Sequence, residues 1–341
     1  VINVLVAGLG GASLGMEIVK ALRLADRYRI VGCDISPLAF GLFGHQCDVT
    51  AIVRRDSYVE DVLHLCEVER IVALCPGGEE QMNLLAVAGG RFAERGIVLA
   101  ANAPSVVETM GNKARCFEIL GALGIRIPVT LTLDNGVSLK SAPFPCIIKP
   151  AVETGGSSFV FFARDSTEAE LYVEYLKRNG KQPILQEYIP HEPGGEFTVG
   201  VLSAPDASIV GTIALKRLFP AKLSIAARGP DFLISSGFSQ GHIGDYPDVR
   251  ATAAAIAQAV RSTGPLNVQG RIDREGRFVP FEINPRFSAS TYLRALAGFN
   301  EIDIYLRLLL GLPAQPAEGV REGYYLRGLT EVAAPPIDTP A

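Results

Sequence analysis

Short apolar runs alternate with amphipathic stretches through the first hundred residues, and this alternation constrains the fold more than any other feature of the chain. INVLVAG, YRIVGCD, RIVALC and IVLAAN read as strands, while LGMEIVKALRLA, SYVEDVLHLCEV and EEQMNLLAVAGGRFAERG carry helical spacing. Strands joined in succession by helical crossovers make a parallel sheet covered on both faces, so a doubly wound α/β unit is expected here. After Pro104 the pattern changes. Helices over NKARCFEILGALG, STEAELYVEYLKRNG and VRATAAAIAQAVRSTG are outnumbered by strands at PCIIKPA, PILQEYI, EFTVGVLS, SIVGTIALKRL, NVQGRID and RFVPFEIN. That distribution predicts an α+β region of largely antiparallel sheet. The Pro- and Ala-rich tail from Pro313 offers only EGYYLRGLTEV as an edge strand.

Composition narrows the class of protein. A chain of 341 residues is too long for one compact core and fits two or three domains. With 48% hydrophobic and 20% charged residues and no unbroken apolar run of about 18, it reads as soluble, with no membrane partner. The apolar N-terminus lacks the basic flank and cleavage site of a signal peptide. Six dispersed cysteines (Cys33, Cys47, Cys66, Cys75, Cys116, Cys146) form no CxxC pair, as expected of reduced thiols in a cytoplasmic protein. A formal charge of -4 leaves no basic excess for a duplex, so nucleic acid is not an expected partner.

Two stretches carry candidate chemistry. GLGGASLG follows the first strand, and Asp34 ends the second, which approaches the dinucleotide-binding fingerprint and makes an NAD-dependent oxidoreductase one reading. Ser13 stands where that pattern wants Gly or Ala, and any tight strand-to-helix turn needs glycine for backbone reasons. FEINPRF, residues 281–287, is the second. A strand's period of two puts Phe281 and Ile283 on one face and Glu282 and Asn284 on the other. Adjacent oxygen donors with a guanidinium two residues on suit a magnesium ion bridging phosphates; the plainer alternative is an ion pair between Glu282 and Arg286. In the preceding hairpin, with DREG as its turn, Gln269 falls across the ladder from Glu282 as a third oxygen donor, and Asp273 caps the turn. His45, His64, His191 and His242 show no ligand spacing and read as structural.

The combination NVQ, FEINPRFSAS and AGFN resembles the ATP-grasp superfamily, most closely its carbamoyl-phosphate-synthetase-like branch, over residues 105–312. The resemblance implies a Rossmann-like pre-ATP-grasp domain (1–104), a small lobe with a glycine-rich lid (105–187), a large lobe with the metal site (188–312) and a tail (313–341). It implies that the enzyme uses ATP and Mg2+ (or Mn2+) to phosphorylate a small-molecule carboxylate, which an amine then attacks. Gln269, Glu282 and Asn284 match metal ligands, and Arg286 matches a phosphate-contacting arginine. Lys113 and Lys149 match the lysines that contact ATP, and Gly155, Gly156, Ser157 and Ser158 match the lid. Glu187, Tyr188 and Ile189 fall in the hinge that reads adenine, and Glu196 matches the ribose acid, with Glu192 in competition. Lys216, Arg217 and Arg294 are candidates for the acyl phosphate or a substrate carboxylate. Phosphorylation of bicarbonate or carbamate is the nearest rival, a nucleotide-binding regulator without turnover is another, and dimers are common in the family.

Overall fold

The structure, a computed structural model, describes residues 1–11, 13–122, 124–133, 139, 142–151, 159–220, 222–314 and 319–335. The first unit runs β1 (Ile2–Ala7), α1 (Leu14–Ala25), β2 (Tyr28–Asp34), β3 (Val49–Ile52), α2 (Tyr58–Val68), β4 (Ala73–Pro76), α3 (Glu79–Val87), α4 (Gly89–Ala93) and β5 (Val98–Leu99). Its strands form a five-stranded parallel sheet in the order β3-β2-β1-β4-β5. The period of two sorts β1 between two cores. Val4 and Val6 pack with Ile18, Val19 and Leu22 of α1, while Leu5 and Ala7 pack with Val62 and Cys66 of α2 and Leu85 of α3. The stretch expected as one helix from Glu79 is two, divided at Ala88 before the weak helix formers Gly89 and Gly90.

The second unit comprises α5 (Pro104–Gly111), α6 (Lys113–Ala122), β6 (Thr130–Thr132), β7 (Cys146–Pro150), β8 (Phe161–Ala163), α7 (Ser166–Arg178) and β9 (Pro183–Glu187). The strands make an antiparallel sheet ordered β6-β9-β7-β8. Asp165 starts α7 by accepting from the amides of Thr167 and Glu168, satisfying donors that have no partner within the helix.

The third unit contains β10 (Glu196–Ser203), β11 (Ile209–Arg217), β12 (Ile225–Arg228), β13 (Leu233–Ser235), β14 (Gly241–Ile243), α8 (Pro247–Ala259), β15 (Pro265–Ile272), β16 (Phe278–Asn284), α9 (Thr291–Leu296), α10 (Glu301–Leu309) and β17 (Gly323–Tyr325). Six strands form an antiparallel sheet in the order β16-β15-β10-β11-β14-β17, and β12 and β13 pair separately. One face of the six-stranded sheet, with Phe197, Val199, Val268 and Ile283, packs under α5, α6 and α8. Helices α9 and α10 instead pack on α1, so Leu293 and Leu306 share a core with Val4 and Ile18, and Leu215 of β11 joins it.

A β-bulge between Gln269 and Gly270 modifies the expected reading of β16. Gln269 pairs with Glu282, but Gly270 pairs with Pro280, leaving Phe281 as the extra residue. Phe281 therefore leaves the face of Ile283 and lies beneath the Arg271 guanidinium, 5.6 Å from its ring centroid. Gly270 is required here, because a Cβ would come within 2.5 Å of the Phe278 ring.

Candidate functional site

The polar end of the six-stranded sheet gathers side chains from four strands. Asn267 pairs with Asn284 and Gln269 with Glu282 across the β15–β16 ladder, so all four project from the face opposite Val268 and Ile283. The Asn284 amide donates to Glu282 at 3.1 Å. Glu282 and Arg286 form no ion pair with each other or with any other described residue, which removes the plainer alternative for FEINPRF. Among the described residues Arg286 donates only to the neighbouring Phe287 carbonyl. Gln269 is less free, since its carbonyl oxygen lies 3.5 Å from Arg217.

Lys149 reaches this group from the other sheet. Its ammonium is buried at the end of β7 and donates to Gln186 at 2.7 Å and to the Phe281 carbonyl at 3.3 Å, one residue before Glu282. The four-stranded sheet thus delivers a cation to the acidic strand of the six-stranded one. Beside it lies a buried charge cluster: Glu196, 0% exposed, accepts from Arg217 and Arg271, each at 2.9 Å. Arg217 also donates to the Ser236 carbonyl, and Arg271 to those of Ile189 and Leu233. Burial alone would raise the Glu196 carboxyl, but Arg271 and Arg217 hold it below the usual carboxylate range. Within this cluster one carboxylate faces two guanidiniums, a surplus of positive charge on the side of Glu282, and the Arg217 Nε has no hydrogen-bond partner among the described residues.

Oxygen donors, a tethered ammonium and surplus guanidinium charge between two sheets suit a metal-bound polyphosphate. Residues 184–332 match a family model described as ATP-grasp in the biosynthetic pathway with Ter operon. That segment is thus similar to an ATP-grasp domain. The chain is 24% identical over 318 residues to the carbamoyl phosphate synthase large chain of Vibrio cholerae, covering 87% of this chain and 28% of that one. The formate-dependent phosphoribosylglycinamide formyltransferase of Bacteroides fragilis is also 24% identical, over 322 residues, covering 89% of this chain and 76% of that protein. The chain thus spans under a third of the synthase large chains. Among solved structures, an ADP complex of N5-carboxyaminoimidazole ribonucleotide synthetase superposes with a TM-score of 0.68 at 15% identity, covering 94% of this chain and 79% of that one. Biotin carboxylase from Campylobacter jejuni, a β-γ-ATP complex, gives 0.69 at 15% identity, over 94% and 74%. These likenesses show the same fold.

The other ATP-grasp positions fare unevenly. Gly155, Gly156, Ser157 and Ser158 lie outside the described residues; Lys113 opens α6, and its side chain is likewise outside them. In the hinge, the Glu187 amide is taken by the Val129 carbonyl, and its carboxylate holds Arg126. Tyr188 locks the hinge to β13, its hydroxyl accepting from the Leu233 amide, and the Ile189 carbonyl accepts from Arg271. Glu196, expected to take the ribose hydroxyls, is enclosed by two arginines and presents no surface to a ligand in this conformation. Glu192 is exposed and lies 3.8 Å from His191.

Lys216 and Arg217, read together from the sequence, point to opposite faces. Arg217 joins Glu196, while the Lys216 ammonium lies 5.9 Å over the Phe197 ring on the helix-covered side. Arg294 is also withdrawn from any ligand. It is 1% exposed and donates to Glu301, Thr198 and Asn267, bracing the sheet on the same face beside the site. Gly200 makes room for that pair, since a Cβ would come within 2.5 Å of Arg294.

The N-terminal glycine turn has an internal explanation. A Cβ on Gly15 would lie 1.7 Å from the Gly8 carbonyl oxygen, and one on Gly77 2.2 Å from it, so these glycines let α1 and the β4–α3 turn close on β1. Asp34 accepts from the amides of Leu9 and Ser36. Burial pushes the Cys66, Cys75, Cys116 and Cys146 thiols up to about 12, leaving them protonated and unreactive. Among the described residues no helix is long and apolar enough to cross a membrane.

Arg271 is the residue that sequence reading underused. Its partners lie 38 to 82 residues away in the chain, out of reach of local periodicity.

Proposed function

We propose that the chain is an ATP-dependent carboxylate-amine ligase, releasing ADP and phosphate. A substrate carboxylate oxygen attacks the γ-phosphorus and the bond to the β-phosphate oxygen breaks, giving ADP and an acyl phosphate. An amine nitrogen then attacks the acyl carbon and phosphate leaves. Glu282, Asn284 and Gln269 would hold Mg2+, and one carboxylate with two amides fits an ion that brings most of its negative charge from the nucleotide. When bound, the ion offsets phosphate charge and lowers the barrier to attack. Lys149 places a compact positive charge beside the metal strand, and Arg286 offers a planar fork to a phosphate or carboxylate. Arg217 adds positive charge beside Gln269. In this reading residues 105–187 supply the lid and small lobe, 188–312 the metal lobe, and 1–104 a wall of the acceptor site.

The observation that carries the reading is that Glu282, which forms no ion pair among the described residues, stands beside Asn284 and Gln269, next to the Lys149 ammonium. The shared family model and the nucleotide-bound solved relatives support it. Bicarbonate or carbamate phosphorylation is a second reading, favoured by the likeness to the synthase large chains. ADP release with Mg2+ and ATP, assayed across amino acids and against bicarbonate plus ammonia, separates the two. Absence of ADP under every condition, with no calorimetric signal for Mg·ADP, refutes both.

A further inference from the structure

A cavity of about 270 Å³ opens where the N-terminal unit meets the end of β16. Its walls include Glu79, Met82 and Asn83 of α3, Val107 and Met110 of α5, and Asn284, the last residue of the metal strand. One feature marks it as more than a packing gap. The Glu79 Oε2 is shielded from solvent, yet it accepts no hydrogen bond and joins no ion pair among the described residues. Its neighbour Glu80 is neutralised by Arg55 at 2.7 Å. A shielded carboxylate oxygen without a donor is costly, and at the wall of an open cavity a bound ligand can supply that donor.

We propose that this cavity binds the amine co-substrate, with Glu79 receiving its ammonium group and Met82, Val107 and Met110 holding an apolar portion. The assignment rests on the ligase reading above and names its acceptor class: a primary amine with an attached hydrophobic group. An anionic acceptor is disfavoured because Glu108 also lines the cavity and forms no ion pair among the described residues. Asn284 belongs to both the cavity wall and the metal group, so an amine held there lies beside the carboxylate being activated. The volume suits a molecule of amino-acid size.

The test uses 2-phenylethylamine and its uncharged counterpart 2-phenylethanol as probes, measured by calorimetry on the whole chain with Mg·ADP present. The amine should bind at least about ten-fold more tightly than the alcohol, and Glu79→Gln should remove that preference, as expected for a hydrogen bond to a charged group. Mg·ADP affinity should not change in Glu79→Gln. Val107→Phe, which fills the cavity from a different wall, should abolish binding of both probes, and covers the case in which Glu79→Gln fails to fold. Equal binding of amine and alcohol, no binding of the amine, or an unchanged preference in Glu79→Gln overturns the proposal. Failure of the wild-type chain to bind Mg·ADP would instead count against the ligase reading, while the amine preference of Glu79 is judged from the same titration without nucleotide.

Discussion

Glu196→Gln separates two roles for the most enclosed carboxylate in the chain. If Glu196 chiefly balances Arg217 and Arg271, replacing it leaves two buried guanidiniums with only neutral acceptors among the described residues, the Ser236, Ile189 and Leu233 carbonyls and the more distant Gln269 side chain. Removing one member of a buried ion pair costs about 3–5 kcal/mol. The glutamine carbonyl still accepts one hydrogen bond from a charged donor and recovers part of this, so about 2–4 kcal/mol should be lost. With about 2.1 cal/mol/K of unfolding entropy per residue, a chain of 341 residues loses about 1.4 °C per kcal/mol, predicting a fall in melting midpoint of about 3–6 °C. The loss should depend on pH. Because Arg271 and Arg217 hold the folded carboxyl below its ordinary value, its contribution is complete above the unfolded carboxylate pKa of about 4.3 and disappears as pH falls through the lower folded value. Wild type and variant should therefore converge on acidification below about pH 4. Differential scanning calorimetry at several pH values reads both effects. A variant that melts within 1 °C of wild type at neutral pH, yet loses nucleotide affinity, would show that Glu196 serves the ribose after all and that the clamp opens at little cost.

Glu282→Gln should abolish Mg2+-dependent ADP release while leaving the melting midpoint unchanged, because the wild-type carboxylate forms no ion pair among the described residues and a glutamine carbonyl can keep the hydrogen bond from Asn284; retained turnover would refute the metal assignment. Lys149→Met should raise the KM for ATP by at least about ten-fold through loss of a charge-assisted contact, and steady-state kinetics against ATP concentration checks it. Gly15→Ala should destabilise the chain by about 3 kcal/mol or more, since its methyl group would enter the Gly8 carbonyl; a well-folded variant by urea denaturation would refute the packing account of that turn.

The parts of this site that sequence made legible are those governed by local periodicity. Alternation along FEIN placed Glu282 beside Asn284, and hairpin geometry placed Gln269 opposite Glu282, because each relation depends on residues close in the chain or across one turn. Phe281 was misplaced because the bulge beside it is a property of two strands together, hinted at only by Gly270 and Pro280. Glu196 looked like an exposed ligand because the arginines that enclose it come from strands 21 and 75 residues away. Arg294 is the same case: Glu301 is only seven residues on, but α9 and α10 must fold back before it becomes a partner. Lys216 and Arg217 could have been separated from the start by the alternation that separated Glu282 from Ile283.

The apolar underside of the first sheet is completed by helices encoded almost three hundred positions later. At a ribosomal pace of about 5–20 residues per second, β1 and α1 wait roughly 15–60 s for α9 and α10 to emerge and cover them. During that interval Val4, Ile18 and Leu22 have no permanent shelter, so nascent chains arrested at residue 280 should be cut readily by protease within their first hundred positions, whereas released full-length chains should resist. Synthesis, rather than the finished fold, is then the stage at which this protein most needs a chaperone.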